Sequence, residues 1–569
     1  MSSATTSLAG IGTRGQNMQN AERDFEVHCK NFCDGIPDLK PYGFKMPFKR
    51  NKDGGVIVKE VHMLLPHELF AQLYLHRAHD FAKFFGTSAR RSAYWTSLSD
   101  TDWFKGHPGR TLLETKPHMV CPVSLHGDDI ACKRGLAPLS ALVLSIASPA
   151  TWDIFDGILA LFCLILKLLL PDSIEFAYAV VTWSLNAMAD GHWPTVDAWG
   201  RPLSDHFRRA MAGSWLCPFD GEGLRAYLSD MLGDMKWLKE ALQLPYYYGK
   251  NFCCAWCTAS KLPGEDYIGN FAHGAFEGRA KRNLADYLRC FVVLPWLARI
   301  FGFSLDIIRI DFMHTDHQGV AGWLAAHGLL SAAQSRAAPT GTWQVRMDAA
   351  LRQLFHLFVA WCHANLVEHS EREFSVTRLS LGKSAADWPD FKGKAHNTAA
   401  VCKFLRSFLD SPAFAGHEDK MLLNAFVGWS EVQAVMHEAA DTFSEQQANR
   451  FLKGGLTCLR SWGILAQLSA RRHVQRHQIK PKHHAYEEAV RFAHRTRRNP
   501  RTTWLYRHES FVGLIGKVAN KTHPATASRR VLQRWLVGFC RQSDGNLTRV
   551  AFKRKLRRGK LRLKPFVVG

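Results

Sequence analysis

Hydrophobic and polar positions divide this chain into a first half with strand character and a second half with helix character. Residues 119–130 carry Val123 and Leu125 in alternation with Ser124 and His126, the period of a strand, and run into His126-Gly127-Asp128-Asp129. Residues 141–148 and 176–184 read as further strands, and 224–232 as a short one running into Gly233-Asp234. The run 158–170 is apolar throughout and fits a buried helix or a buried strand equally. Residues 66–74, opening near Pro66, residues 206–215 and residues 235–242 predict helices, and 191–204 is a turn-rich loop. After Lys261 the helical period dominates: 281–301, 320–331, 345–367, 399–409, 420–440 and 444–472 predict helices, divided by turns such as 337–341. Two more follow at 509–519 and 527–539.

Strands followed by helices predict an α/β core interrupted by a large all-helical insertion. The boundaries follow the pattern changes. Residues 1–24 read as disordered and 25–116 as a mixed, mostly helical region. The first part of the core spans 117–260, the insertion 261–479, the closing part of the core 480–540 and a basic tail 541–569.

Composition narrows the class. A hydrophobic content of 47% with 18 Trp indicates a buried core and excludes a disordered chain. The run 158–170 is shorter than the roughly 20 residues of a membrane span, contains Lys167 and stops at Pro171, so no span is expected. Residues 1–19 lack the apolar stretch of a secretory signal. Fourteen scattered Cys read as reduced core residues of an intracellular protein.

Charge is concentrated at one end. Residues 471–569 hold 26 Lys/Arg against four Asp/Glu, nearly the whole net charge of +23. Such a block attracts phosphates, of nucleic acid or of an anionic membrane. Lys553-Arg554-Lys555-Leu556-Arg557-Arg558 reads as a nuclear import signal, a phosphate patch or a solvated tail. Glu509 is the only acid between Glu488 and Asp544. A lone carboxylate there repels the polyanion its neighbours attract unless a cation lies between them.

Asp128 and Asp234 have the matching local pattern, an apolar stretch and a glycine before the acid. Each has a plain alternative: an Asp-Asp turn for Asp128, a helix N-cap for Asp234, and an arginine ion pair for Glu509. As a trio they suit two Mg²⁺ or Mn²⁺ ions roughly 3.5–4 Å apart, which activate a water or 3′-hydroxyl for in-line attack on phosphorus. Cys254-Ala255-Trp256-Cys257, preceded by Cys253, supplies one edge of a Zn²⁺ tetrahedron, to be completed by a distant His314, His317, His483 or His484, or else is a pair of buried thiols. Residues 310–320 gather Asp311, His314, Asp316 and His317, as a metal or base site or as a helix start capped by Asp316. Lys480-Pro481-Lys482-His483-His484 reads as a phosphate contact or a solvated loop.

The order of these pieces resembles the eukaryotic cut-and-paste DNA transposases with an RNase H-like DDE core, nearest the CACTA-like and related groups. The matching pieces are His126-Gly127-Asp128-Asp129, Gly233-Asp234 ahead of Cys254-x-x-Cys257, Asp311-Phe312-Met313-His314 with Gly319-Val320, Lys480 to His484, and Glu509 followed by Lys517-Val518-Ala519-Asn520-Lys521. The resemblance implies an RNase H-like mixed sheet, with Asp128, Asp234 and Glu509 as ligands of two Mg²⁺ or Mn²⁺ ions. Asp129 is an alternative for the first position and Asp311 for the second. It also implies a structural Zn²⁺ on Cys254, Cys257 and His314 or His484, and DNA as partner, both transposon ends and target. Phosphate contacts are expected from Lys482, Arg507, Lys517, Lys521, Arg529 and Arg530. A homodimer or larger assembly and a nuclear location complete the expectation. The rival expectations are a transposase-derived protein that binds nucleic acid without cutting it, and a basic helical scaffold in which the three acids lie apart.

Overall fold

A computed structural model describes residues 39–543 apart from 50–54, 135–136, 155, 167–168, 171, 383–386 and 524–525. The expected disordered N-terminus (1–24) and the basic tail beyond Ser543, with Lys553 to Arg558, lie outside the described residues. The fold is mixed α/β.

The chain enters through an antiparallel hairpin, β1 (Tyr42–Lys49) and β2 (Val56–Met63), followed by helices α1 (Pro66–His76), α2 (Ala78–Phe85) and α3 (Ser88–Thr96). A four-stranded sheet follows, made by β3 (Val120–Arg134), β4 (Ala137–Ala147), β5 (Ile158–Ile165) and β6 (Arg225–Gly233). Its order is β5-β4-β3-β6; β3 pairs antiparallel with β4, β4 antiparallel with β5, and β3 parallel with β6. A single parallel bridge from Met231 to Ile308 extends the outer edge of β6. The apolar run at 158 resolves as β5, with Ile158 to Leu164 all buried.

A parallel pair needs a crossover, and α4 (Ser173–Asp190) lies in it, packed on β6. The strand expected at 176–184 is thus the middle of a helix. Ala177 to Thr182 are all buried, so no polar face marks the helical period, and Val180-Val181-Thr182 imitates a strand locally. The helix expected at 281–301 is likewise absent. It reduces to one turn at Leu284–Leu288, boxed by Asn283 and Asp286, and a 3₁₀ turn at Trp296–Arg299 after Pro295. Proline has no N–H to donate and disfavours helical backbone in the residue before it.

Six helices form a second body: α6 (Ala321–Gln334), α7 (Trp343–Ala364), α8 (Ala395–Leu409), α9 (His417–Glu438), α10 (Glu445–Arg471) and α11 (Pro481–Thr496), with α5 (Met235–Ala241) preceding them beside the sheet. They enclose their own core around Leu324, Phe358, Phe426, Trp429, Trp462 and Tyr486. Ser444 and Gln447 close a capping box on α10. Helices α9 and α10 touch backbone to backbone at a glycine pair: a Cβ on Gly428 would lie 2.5 Å from the Gly454 carbonyl oxygen. The expected loop at 480–484 is the first turn of α11, with Pro481 opening it and His483 and His484 buried.

After the bundle the chain returns to the sheet. Helix α12 (Tyr506–Ala519) packs across β3, β4 and β5, and α13 (Ala527–Ser543) against β5 and β2. Val512, Ile515, Val531 and Leu532 join the same core as Val123, Val143 and Phe162. Buried Asp230 of β6 ties this return to the sheet, accepting from Arg498, from Arg309 and from the Tyr94 hydroxyl at 3.0 Å. Burial opposes its charge, but the two guanidinium groups outweigh burial and hold the carboxyl below the usual carboxylate range.

Candidate active site

Strand alternation separates the two neighbouring acids of β3. Side chains two residues apart share a face. His126 lies against His508 of α12, with ring centroids 4.6 Å apart, and Ile130 fills the space over Gly516 of α12, where a Cβ would come within 2.1 Å of it. Asp128, between them in register, therefore faces α12. Gly127 and Asp129 face the other way, onto α5: Asp129 accepts from Lys236 Nζ at 2.6 Å. Asp129 is thereby a surface ion pair, and Asp128 is the acid turned toward Glu509.

Asp234 is the first residue after β6 and the N-cap of α5, its Oδ1 accepting from the Trp237 N–H at 2.7 Å. The capping role and a position at the acid cluster coexist, since only one oxygen is used by this cap. The glycines before the two acids have a packing cause. Gly127 and Gly233 are paired across β3 and β6, and the Trp237 indole lies over both. A Cβ would come within 2.0 Å of that indole at Gly127 and 2.4 Å at Gly233. Gly127→Ala is therefore expected to destabilise the fold by about 1–3 kcal/mol through overpacking, read as a lower denaturation midpoint.

Glu509 sits in the first turn of α12, on the side that Asp128 faces, and its charge acts on the Asp128 carboxyl. His314 Nε2 lies 3.6 Å from Glu509 Oε1, while its Nδ1 lies 2.6 Å from Asp311 Oδ2. Asp311 also accepts from the N–H groups of Met313, His314 and Leu505, at 3.1, 2.8 and 3.0 Å. Both its oxygens are thus occupied in orienting His314 and fixing the start of α12, an assignment different from second metal ligand. Its neighbour Asp316 is no helix cap. It is buried inside a π-helical stretch, Met313–Val320, accepting from Trp429 and Gln433 at 2.8 and 2.6 Å.

Burial, then the charges of Glu509 and Asp234, push the Asp128 carboxyl up to about 7. Glu509 is also raised, chiefly by burial. At His314 burial works against the charged ring, but the Asp311 hydrogen bond and charge, with Glu509, raise its pKa. Carboxylates crowded in this way relieve their repulsion by sharing a proton or by holding a cation. The donors are hard oxygens, which suits Mg²⁺ or Mn²⁺.

Among the described residues, only Cys254, Cys257, His484 and Glu488 bring their ligand atoms all within 4.8 Å of one another. Asp128, Asp234 and Glu509 are more open. In the cysteine cluster, Cys257 Sγ is 3.2 Å from His484 Nε2, and Glu488 Oε1 is 3.4 Å from that nitrogen. The Cys254 hydrogen bond comes first, and with His484 it lowers the Cys257 thiol to about 6 despite burial. Two thiols, an imidazole and a carboxylate fit a tetrahedral Zn²⁺. His484 is the histidine of this set, and His314, the other one expected, belongs to the carboxylates. Glu488 was missed by sequence reasoning, although His484 and Glu488 share a face at i, i+4 once 481–496 is read as a helix.

The expected phosphate contacts divide. Arg507 donates to the carbonyls of Thr151, Trp152 and Ile154, each at 3.0 Å, and Lys482 Nζ donates to those of His314 and Gln318 at 2.9 and 3.2 Å. Both cations are half-buried and engaged by backbone carbonyls of the fold. Lys517 and Lys521 are exposed, and Arg529 and Arg530 are half-buried on α13. Arg507→Ala, leaving three carbonyls without their donor, is expected to lower stability by about 1–3 kcal/mol while the salt dependence of DNA binding stays as in the parent. A changed salt slope would return Arg507 to the DNA face.

No helix among the described residues is long and apolar enough to cross a membrane. Neither a known protein-family description nor a curated protein matches the chain.

Proposed function

We propose that the chain is a metal-dependent DNA nuclease and strand transferase of the cut-and-paste transposase type, with Asp128, Asp234 and Glu509 as its carboxylates. One observation carries this reading. Three acids separated by more than a hundred residues each come to the junction of β3, β6 and α12: Gly127 pairs with Gly233, which brings the ends before Asp128 and Asp234 side by side, and Asp128 faces the helix that carries Glu509 in its first turn. The mixed sheet, with the first acid on an inner strand and the last on a helix packed across it, supports an RNase H-like core. The separate bundle core supports reading the helices as an insertion.

Two bound Mg²⁺ or Mn²⁺ ions would supply Lewis acidity for attack by water and then by the freed 3′-hydroxyl on a phosphodiester. The chain's own residues do the rest. Asp128 once deprotonated, Asp234 through the oxygen its cap leaves available, and Glu509 on the first turn of a helix anchored by Asp311 would hold the ions. His314, held by Asp311, fixes the Glu509 carboxylate from the side. Lys517 and Lys521, with the tail beyond Ser543, would hold DNA. The reading includes a structural Zn²⁺ on Cys254, Cys257, His484 and Glu488, a nuclear location through Lys553 to Arg558, and a dimer or larger assembly on transposon ends and target.

The test is nicking of supercoiled plasmid and cleavage of duplex oligonucleotides with Mn²⁺, Mg²⁺ or neither. Metal-dependent cleavage supports the reading. Salt-sensitive binding without cleavage, with a log–log slope near −0.9 per neutralised phosphate, identifies a transposase-derived binding protein instead. A flat salt response removes the phosphate-binding role.

A further inference from the structure

A cavity of about 270 Å³ lies between the sheet edge at Ile308 to Ile310 and the last turns of α11. It continues into a smaller one of about 80 Å³: Asp102, Asp306, Arg309, Phe492 and Arg495 line both, so the two form one groove. None of Asp128, Asp234, Glu509 or His314 lines it.

The groove is bipolar. Lys281, Arg282 and Arg491 line only the larger chamber, and Asp100 only the smaller. Asp102 and Asp306 stand where the two meet. The middle is planar and fixed: the Arg309 guanidinium lies 4.8 Å from the Phe492 ring centroid and is itself held by Asp230. The Trp256 indole in the wall is pinned by a 3.1 Å hydrogen bond to the Leu305 carbonyl. At the basic end, Lys281 Nζ lies 3.9 Å from Glu488.

Cations at one end, and stacking planes with carboxylate acceptors beside them where the chambers meet, match one class of ligand. We infer that this groove binds a nucleoside phosphate whose base carries N–H donors on one edge, as guanine does. The phosphate lies by Lys281, Arg282 and Arg495, the base beside the Phe492–Arg309 pair, and its N–H groups on Asp306 and Asp102. The same chemistry is offered by a free nucleotide and by an unstacked nucleotide of a DNA strand. The inference does not rest on the cleavage reading, because binding needs neither Mg²⁺ nor the three carboxylates.

The test is calorimetric titration of the full chain, without divalent metal, with GMP, inorganic phosphate and a short single-stranded G-containing oligonucleotide. Either GMP or the oligonucleotide is expected to bind at least about 10-fold more tightly than phosphate. Tighter GMP identifies the free nucleotide as the source, and a tighter oligonucleotide identifies the strand. Arg495→Glu, at an exposed position, is expected to weaken the better ligand about 10-fold. Asp306→Asn discriminates more sharply. It removes a negative charge, so a merely basic surface would bind DNA or nucleotide more tightly, whereas the groove has one of two acceptor oxygens replaced by an N–H that opposes the base's own donors, and binds more weakly. No advantage over phosphate, or tighter binding by Asp306→Asn, overturns the inference.

Discussion

Asp128→Asn, Asp234→Asn and Glu509→Gln are each expected to lower metal-dependent DNA cleavage by at least about 10²–10³-fold, with the chain still folded. The contribution of a catalytic metal is several kcal/mol, and about 1.4 kcal/mol is a factor of ten in rate. Asp129→Asn, the adjacent acid paired with Lys236, is expected to keep most activity, because it lies on the other face of β3. That pair of neighbours is the informative comparison. A general loss of negative charge would affect both variants alike, and a site on the α12 face affects only Asp128.

The same crowding gives a stability signature without metal. Asp128 holds its proton more tightly folded, up to about 7, than unfolded, where the value is near 3.9. The folded state then binds the extra proton between these values, so this carboxyl's stabilising contribution is complete below about pH 4 and is lost as pH rises through about 7. In metal-free buffer the melting temperature of the parent is expected to fall across that window relative to Asp128→Asn. Mn²⁺ at pH 8 is expected to restore the parent and leave the variant unmoved. Parallel pH profiles for the two proteins would contradict the assigned proximity.

The second large effect concerns the cysteine cluster. The chain as purified is expected to carry about one zinc, and Cys257→Ser to reduce it below about 0.1 per chain by elemental analysis. Structural zinc contributes on the order of 10 kcal/mol of binding free energy to a fold. Here the cluster joins the loop before the bundle to α11, so its loss is expected to cost several kcal/mol and to lower the unfolding midpoint. Glu488→Gln, which keeps both thiolates and the imidazole, is expected to retain zinc with weaker affinity. A zinc-free parent of unchanged stability would leave two buried thiols beside a histidine.

Much of this site was legible from local pattern. Asp128 lies on an alternating strand, which runs on to Arg134 instead of ending at the two acids, Asp234 follows another, and Glu509 stands out because its block is otherwise basic. The cause of the glycines was not legible: Gly127 and Gly233 make room for Trp237, 110 residues from one and four from the other, and only the pairing of β3 with β6 puts one indole over both. Nor did charge reveal its own partners. Arg507 and Lys482 look like phosphate contacts in a basic block, yet the carbonyls they satisfy come from residues 151–154 and 314–318. The long helices of the bundle were visible from their period, whereas α4 was hidden by the unbroken buried run from Ala177 to Thr182 and the 281–301 pattern lost to Pro295. His314, His317, His483 and His484 were all candidates for the cysteines, because sequence spacing cannot say which distant histidine the bundle returns to them.

The most direct measurement of the central claim is anomalous diffraction from crystals soaked in Mn²⁺. The account predicts manganese between Asp128, Asp234 and Glu509, with oxygen distances of about 2.1–2.2 Å, Asp129 still on Lys236 and Asp311 still on His314. Manganese absent from that junction, or held by Asp129 or Asp311 in place of these three, would contradict it.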